Sequence, residues 1–180
     1  MGAYNALLKI LADKIVISLS LNHGKYCCKL QETESDYSFE LWDVPKDAII
    51  IKCDKFPNTG EVFFKGKENE CKRADYALVS ESDKTIMIFE LKRSNGSTET
   101  KNITAQLKGA TCILNYCASI SSFFLDEHGI FDGFIYKYYK GIHNLSQKRA
   151  FGDTAKIDNT KPDTARIIPG KYSSYKWLLN

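Results

Sequence analysis

Apolar positions along the chain change their spacing several times, and each spacing predicts an element. In residues 4–14 they fall at Tyr4, Leu7, Leu8 and Leu11, the stripe of a short amphipathic helix. Residues 15–31 fit either an extension of that helix or a strand turning at Asn22-His23-Gly24. Residues 31–36 (QETESD) read as a polar surface loop, after which Phe39, Leu41 and Trp42 return the chain to the core. Residues 48–55 (AIIIKCDK) predict a strand, Pro57-Asn58-Thr59-Gly60 a turn, and residues 61–65 a second strand. Two further apolar runs flank the polar residues 81–84 and predict a hairpin over 71–94, completing a meander of about four strands.

Beyond Asn95-Gly96-Ser97 the period lengthens again. Asn102 is placed to cap a helix whose apolar stripe runs through 103, 107, 110, 113, 114, 117, 120 and 124. An aromatic strand follows over 131–138, then a polar, loop-rich tail over 141–163 and an edge strand at 165–168, before Pro169-Gly170. The expected fold is α/β: a central, mostly antiparallel (mixed) sheet of about four or five strands flanked by helices. A chain of 180 residues suits one domain, with its core over 48–138 and 141–180 as a C-terminal extension.

Composition narrows the function classes only a little. The chain is 43% hydrophobic and 26% charged with a net charge of +3, which permits an anionic partner without demanding one. No apolar run reaches the roughly 20 residues of a membrane span, and no signal-peptide pattern opens the chain, so a cytoplasmic protein is expected. Six cysteines include no C-x-x-C pair, which favours free thiols in a reducing compartment over a disulfide framework. The three histidines are scattered, and the glycines of residues 60–67 do not have phosphate-loop spacing.

The hairpin is where chemistry concentrates. Strand side chains alternate between faces, so Glu90 and Lys92 share one. A turn at Ser82-Asp83, or at Glu81 to Lys84, sets Asp75 directly across from Glu90 with Cβ atoms roughly 5 Å apart. Glu-x-Lys occurs at 70–72, 90–92 and 99–101, but only the middle triplet has an acid partner whose register puts the turn in a polar stretch. Two carboxylates about 4 Å apart repel by roughly 4 kcal/mol at an effective dielectric near 20. Lys92 relieves part of this, and a divalent ion can relieve more. Oxygen donors select Mg²⁺ or Mn²⁺, which can hold a phosphate oxygen and activate water. The simpler alternative is a cross-strand salt bridge on a solvated sheet face. Ala77, Val79, Ile86 and Ile88 lie on the same face, which instead puts the charges at the end of a buried strip.

Asp75 followed by Glu90-Leu91-Lys92, each in a strand and followed by a helix, resembles the PD-(D/E)XK nuclease superfamily over residues 71–110. The resemblance implies a restriction-endonuclease-like core: a helix, an antiparallel meander, a second helix and a further strand. It implies Asp75 and Glu90 as metal-binding acids, the backbone carbonyl of Leu91 as a further ligand, and Lys92 as the catalytic lysine. Gln106 matches a glutamine of several RecB-like members, while Ala110 stands where those have tyrosine and Ala74 where the motif has proline. Some members add an acid near the first helix, for which Asp13, Glu32, Glu34 and Glu40 are available.

The implied activity is Mg²⁺-dependent hydrolysis of phosphodiester bonds, of DNA first, in restriction or phage defence. The implied partners are nucleic acid and either a second copy or an ATPase or other defence protein. The alternative is a non-catalytic binding module of the same fold. Arg73, Arg93 and Lys108 are the expected nucleic-acid contacts. Lys137, Lys140, Lys148, Arg149, Lys171 and Lys176, interleaved with Tyr138, Tyr139, Tyr172, Tyr175 and Trp177, read either as further contacts or as ordinary surface charge beside core aromatics.

Overall fold

A computed structural model describes residues 1–32, 37–56, 63–93, 99–143 and 158–180. Helix α1 (Ala3–Ile10) precedes strands β1 (Val16–Ile17), β2 (Ser20–Asn22), β3 (Lys25–Glu32) and β4 (Tyr37–Trp42). Strands β5 (Ala48–Lys52), β6 (Tyr76–Ser80) and β7 (Thr85–Lys92) follow, then the long helix α2 (Glu99–Leu125). Strands β8 (Ile135–Ile142), β9 (Arg166–Pro169) and β10 (Tyr172–Ser174) and helix α3 (Tyr175–Leu179) end the chain.

The strands form two mixed sheets. The larger runs β1-β5-β6-β7-β8-β9, antiparallel from β1 to β7 and parallel from β7 to β9. The smaller runs β10-β4-β3-β2. Period-two alternation assigns each strand of the large sheet to two cores at once. Ile49, Ile51, Ala77, Val79, Ile86 and Ile88 face α1 and α2. Ile50, Leu78, Met87, Phe89 and Leu91 face Leu30, Tyr37, Phe39 and Leu41 of the small sheet. The result is three layers: helices, large sheet, small sheet.

The α/β expectation holds, but the large sheet has six strands, and α1 and α2 cover one of its faces while, of the helices, only the short α3 packs on the other. The other face is closed by a second sheet that the pattern of residues 15–42 left ambiguous. A positive-φ turn at His23-Gly24 resolves that ambiguity in favour of strands. Residues 63–65 belong to no strand, and β5 pairs directly with β6. Phe63 is exposed, so its apolar run signals no core position. The expected turn at 57–60 and residues 61–62 lie outside the described residues, as do Glu34, Lys148 and Arg149. The aromatic strand is shifted to Ile135–Ile142, because residues 131–133 form a turn instead.

Helix α2 begins at Glu99, so Asn102 lies inside it and is not its cap. Its buried stripe follows Ile103, Leu107, Ala110, Leu114 and Cys117 as expected, then continues through Ser121 (0% exposed) while Phe124 stands 75% exposed. Steps of four, three, four, three and four carry a helical stripe from 103 to 121, whereas 124 lies in the last turn of the helix and is left outside the core. All six cysteines are free thiols. No helix among the described residues is long and apolar enough to cross a membrane.

Two positions on the predicted stripe should therefore behave oppositely. Leu114→Ala should destabilise the protein by about 2–5 kcal/mol, whereas Phe124→Ser should change stability by less than about 0.5 kcal/mol. Urea denaturation of both variants measures the difference, and equal losses would contradict the helix packing.

Candidate functional site

The site is built by the register of β6 on β7. Tyr76 pairs with Phe89, Ala77 with Ile88, and Ser80 with Thr85, leaving Glu81 to Lys84 as the four-residue connection. The Ser80 hydroxyl accepts from the Asp83 N–H and the Thr85 hydroxyl donates to the Asp83 carbonyl, which fixes the loop length. Continuing the ladder one step past Tyr76 sets Asp75 across from Glu90. The Leu91 N–H donates to Asp75 Oδ2 at 2.6 Å, which ties that carboxylate to β7. The Asp75 carbonyl accepts from the Cys53 N–H at 2.8 Å, holding the residue from its other side.

Glu90 is 0% exposed, and its Oε1 pairs with Lys92 Nζ at 2.5 Å. Lys92 is 28% exposed along its side chain, so it links the buried acid to the surface. Parallel pairing of β7 with β8 adds a charge that is neither of the two things its sequence context suggests, a nucleic-acid contact or ordinary surface charge. Lys140 is the register partner of Glu90 and is only 7% exposed. It shares its face with Tyr138, which packs in the helix-side core. Asp75, Glu90 and Lys140 thus form a row across three strands, with Lys92 one step further along β7. Beside Asp75, burial pushes the Cys53 thiol up, and Cys117, Asp54 and Asp75 add to the effect.

Lys92 carries the row to a cleft of about 380 Å³ lined by Lys72, Arg73, Lys92, Asn102 and Gln106, while Asp75 and Glu90 lie behind its lining. Arg73 and Gln106 are brought beside Lys92 as expected, though Gln106 lies two turns into α2 and not at its start. Lys72 and Asn102 are additions: Lys72 Nζ donates to Asn102 Oδ1 at 2.5 Å. Lys72 ends the Glu70-Cys71-Lys72 triplet, whose register excludes it from pairing as a hairpin end. The signal that reveals it is proximity to Asp75 together with Gly109. A Cβ on Gly109 would lie 1.7 Å from the Lys72 carbonyl oxygen, so only glycine lets α2 lie this close to the 71–74 segment.

The remaining predicted residues fall elsewhere. Lys108 lines a neighbouring cleft of about 590 Å³ with Lys101, Glu68, Glu70 and Asp163. Arg93 is an exposed residue just beyond β7 and does not line the Lys92 cleft. Leu91 buries its side chain in the core between the sheets, so only its backbone faces the site. Asp13 and Glu40 are exposed, Glu40 on the small sheet, and neither joins the row. His128 does have partners: its Nδ1 meets Ser122 Oγ at 2.6 Å and its Nε2 meets Asp126 at 3.0 Å. Asp126 is 96% exposed, however, and lacks the burial that makes an orienting acid effective in a nucleophilic triad.

Asp75 and Glu90 offer oxygen donors only, a set that fits Mg²⁺ or Mn²⁺ better than zinc. Mg²⁺ is commonly bound through one or two carboxylates, with water and substrate completing its shell. The pair fits that pattern, although no group of three or more His, Cys, Asp or Glu residues converges among the described residues. A carboxylate accepts at both of its oxygens, so the hydrogen bond from Leu91 to Asp75 and the ion pair of Lys92 with Glu90 do not exclude a cation. No family model, curated protein or solved structure matches the chain.

The close approach at Gly109 holds α2 against the 71–74 segment. Gly109→Ala should destabilise the protein by about 1–3 kcal/mol through overpacking, although alanine is the better helix former by about 1 kcal/mol. A urea midpoint equal to or above that of the wild type would contradict the contact.

Proposed function

We propose that the chain is a metal-dependent nuclease with a restriction-endonuclease-like core, hydrolysing phosphodiester bonds in nucleic acid, DNA first. The observation that carries this reading is the juxtaposition of Asp75 and Glu90 by strand register, with Lys92 bonded to Glu90 at the mouth of a cationic cleft. The order α1, antiparallel β5-β6-β7, α2, then β8 supports it, following the helix, meander, helix and strand that the sequence resemblance implies, with β1 to β4 set between α1 and β5.

Asp75, Glu90 and the Leu91 carbonyl would hold a Mg²⁺ or Mn²⁺ ion, which supplies polarisation of a phosphate oxygen and a more acidic water. The chain's own groups do the rest. The Leu91 N–H fixes the orientation of Asp75, and the strip of Ala77, Val79, Ile86 and Ile88 behind the acids keeps bulk water from that side. Lys92 donates hydrogen bonds from a position set by Glu90, where it orients the attacking water and offsets the negative charge that grows on the phosphoryl oxygens. Gln106 lines the same cleft as a neutral hydrogen-bonding group for the substrate.

One observation favours a second reading, a non-catalytic binding module of the same fold. Lys92 and Lys140 together match the charges of Asp75 and Glu90, so the row is balanced without a metal. In that case the acids and lysines serve the fold, and the cleft serves binding alone.

Cleavage assays separate the two. Plasmid and single-stranded DNA should be cut in Mg²⁺ or Mn²⁺ and left intact in EDTA. Lys92→Ala should slow cleavage by about 10²–10⁴-fold, and Asp75→Ala should abolish it. Cleavage indifferent to EDTA, or retained in both variants, would sink the nuclease reading. A folded wild type that binds DNA and never cuts it would favour the second.

A further inference from the structure

The cleft has two electrostatic poles, and the outer one is a candidate site in its own right. At the inner end, Lys92 is paired with the carboxylate of Glu90. At the outer end, the hydrogen-bond partner of Lys72 is the neutral carboxamide of Asn102, at 2.5 Å. An ammonium held by a carboxylate has its field largely cancelled, whereas one held by an amide oxygen keeps its full charge and two further N–H donors for an anion. Arg73 follows in sequence and lines the same cleft, and among the described residues no acidic side chain lines it.

We infer that Lys72 and Asn102 form a phosphate-binding subsite beside the row of acids. It holds a nucleic-acid phosphodiester next to the one at the Lys92 end of the cleft. This assignment deepens the nuclease reading and rests on it for the identity of the ligand. Binding of the phosphate group itself needs neither metal nor cleavage. Asn102 acts as a positioning residue that holds the Lys72 ammonium in the cleft. Gly109 keeps the pair together by letting α2 lie against the Lys72 backbone. The two residues come from segments 30 positions apart in the chain, and only this packing joins them.

The test is binding in EDTA, using inorganic phosphate and a short oligothymidylate as separate probes on the full chain. Both should bind saturably to the wild type, and the oligonucleotide should bind more tightly because it spans more of the cleft. Lys72→Gln should weaken oligonucleotide binding about tenfold. It should also flatten the slope of log affinity against log salt by about 0.7, the loss of one phosphate contact on a single strand. Lys72→Arg, which keeps the charge, should restore the slope, a recovery that a purely structural role for Lys72 would not produce. An unchanged slope in Lys72→Gln, or no saturable binding of either probe to the wild type, overturns the subsite. Binding with these signatures in a protein that never cuts DNA upholds the subsite and removes the nuclease reading. Metal-dependent cleavage with an unchanged salt slope in Lys72→Gln does the reverse.

Discussion

The structure depends on the register of β7, a strand buried on both faces at the middle of the six-stranded sheet. Its odd residues, Met87, Phe89 and Leu91, close the core against the small sheet, and its even residues, Ile86 and Ile88, close the core beneath the helices. A slip of one residue would exchange the two sets and drive Glu90 and Lys92 between the sheets, among Tyr37, Phe39 and Leu41. Both cores therefore enforce the alignment that brings Asp75 to Glu90. Tyr76 adds a further lock: its hydroxyl donates to the Gln31 carbonyl and accepts from the Gln31 N–H, pinning β6 to β3 one residue from the acid.

Charges in this position are not what a sheet needs for stability. Taking an ion out of water costs several kcal/mol, and a buried pair seldom returns more than well-packed apolar residues would. Glu90 is fully buried and Lys140 nearly so, at the end of a strip otherwise made of alanine, valine and isoleucine. Apolar side chains at 90 and 140 would continue that strip and serve the fold as well. The departure from the cheaper solution is localised where the sheet meets a cationic cleft, and buried charges beside a cleft tend to mark a site.

Much of this arrangement was legible in the sequence, for identifiable reasons. The β6–β7 hairpin could be read because alternation, a polar connection and two apolar faces all agree on one register. The helical stripe could be read as far as Cys117, but hydropathy could not tell the buried Ser121 from the exposed Phe124, because where the core stops along the helix decides that. The small sheet was obscured because residues 15–42 mix apolar and polar positions without a clean period, and β10, which joins it, lies far away in sequence. Lys140 and Lys72 were hidden for a related cause. Their importance comes from a parallel strand pairing and from a glycine contact, both long-range, and neither leaves a local pattern.

The central claim is that strand register builds a cation site from Asp75 and Glu90. Anomalous diffraction from crystals soaked in Mn²⁺ tests it most directly. The account predicts a peak about 2.1 Å from oxygens of both carboxylates, lost in the Asp75→Asn protein. A structure in which Mn²⁺ binds elsewhere, while Asp75 and Glu90 keep only their bonds to protein, would contradict it.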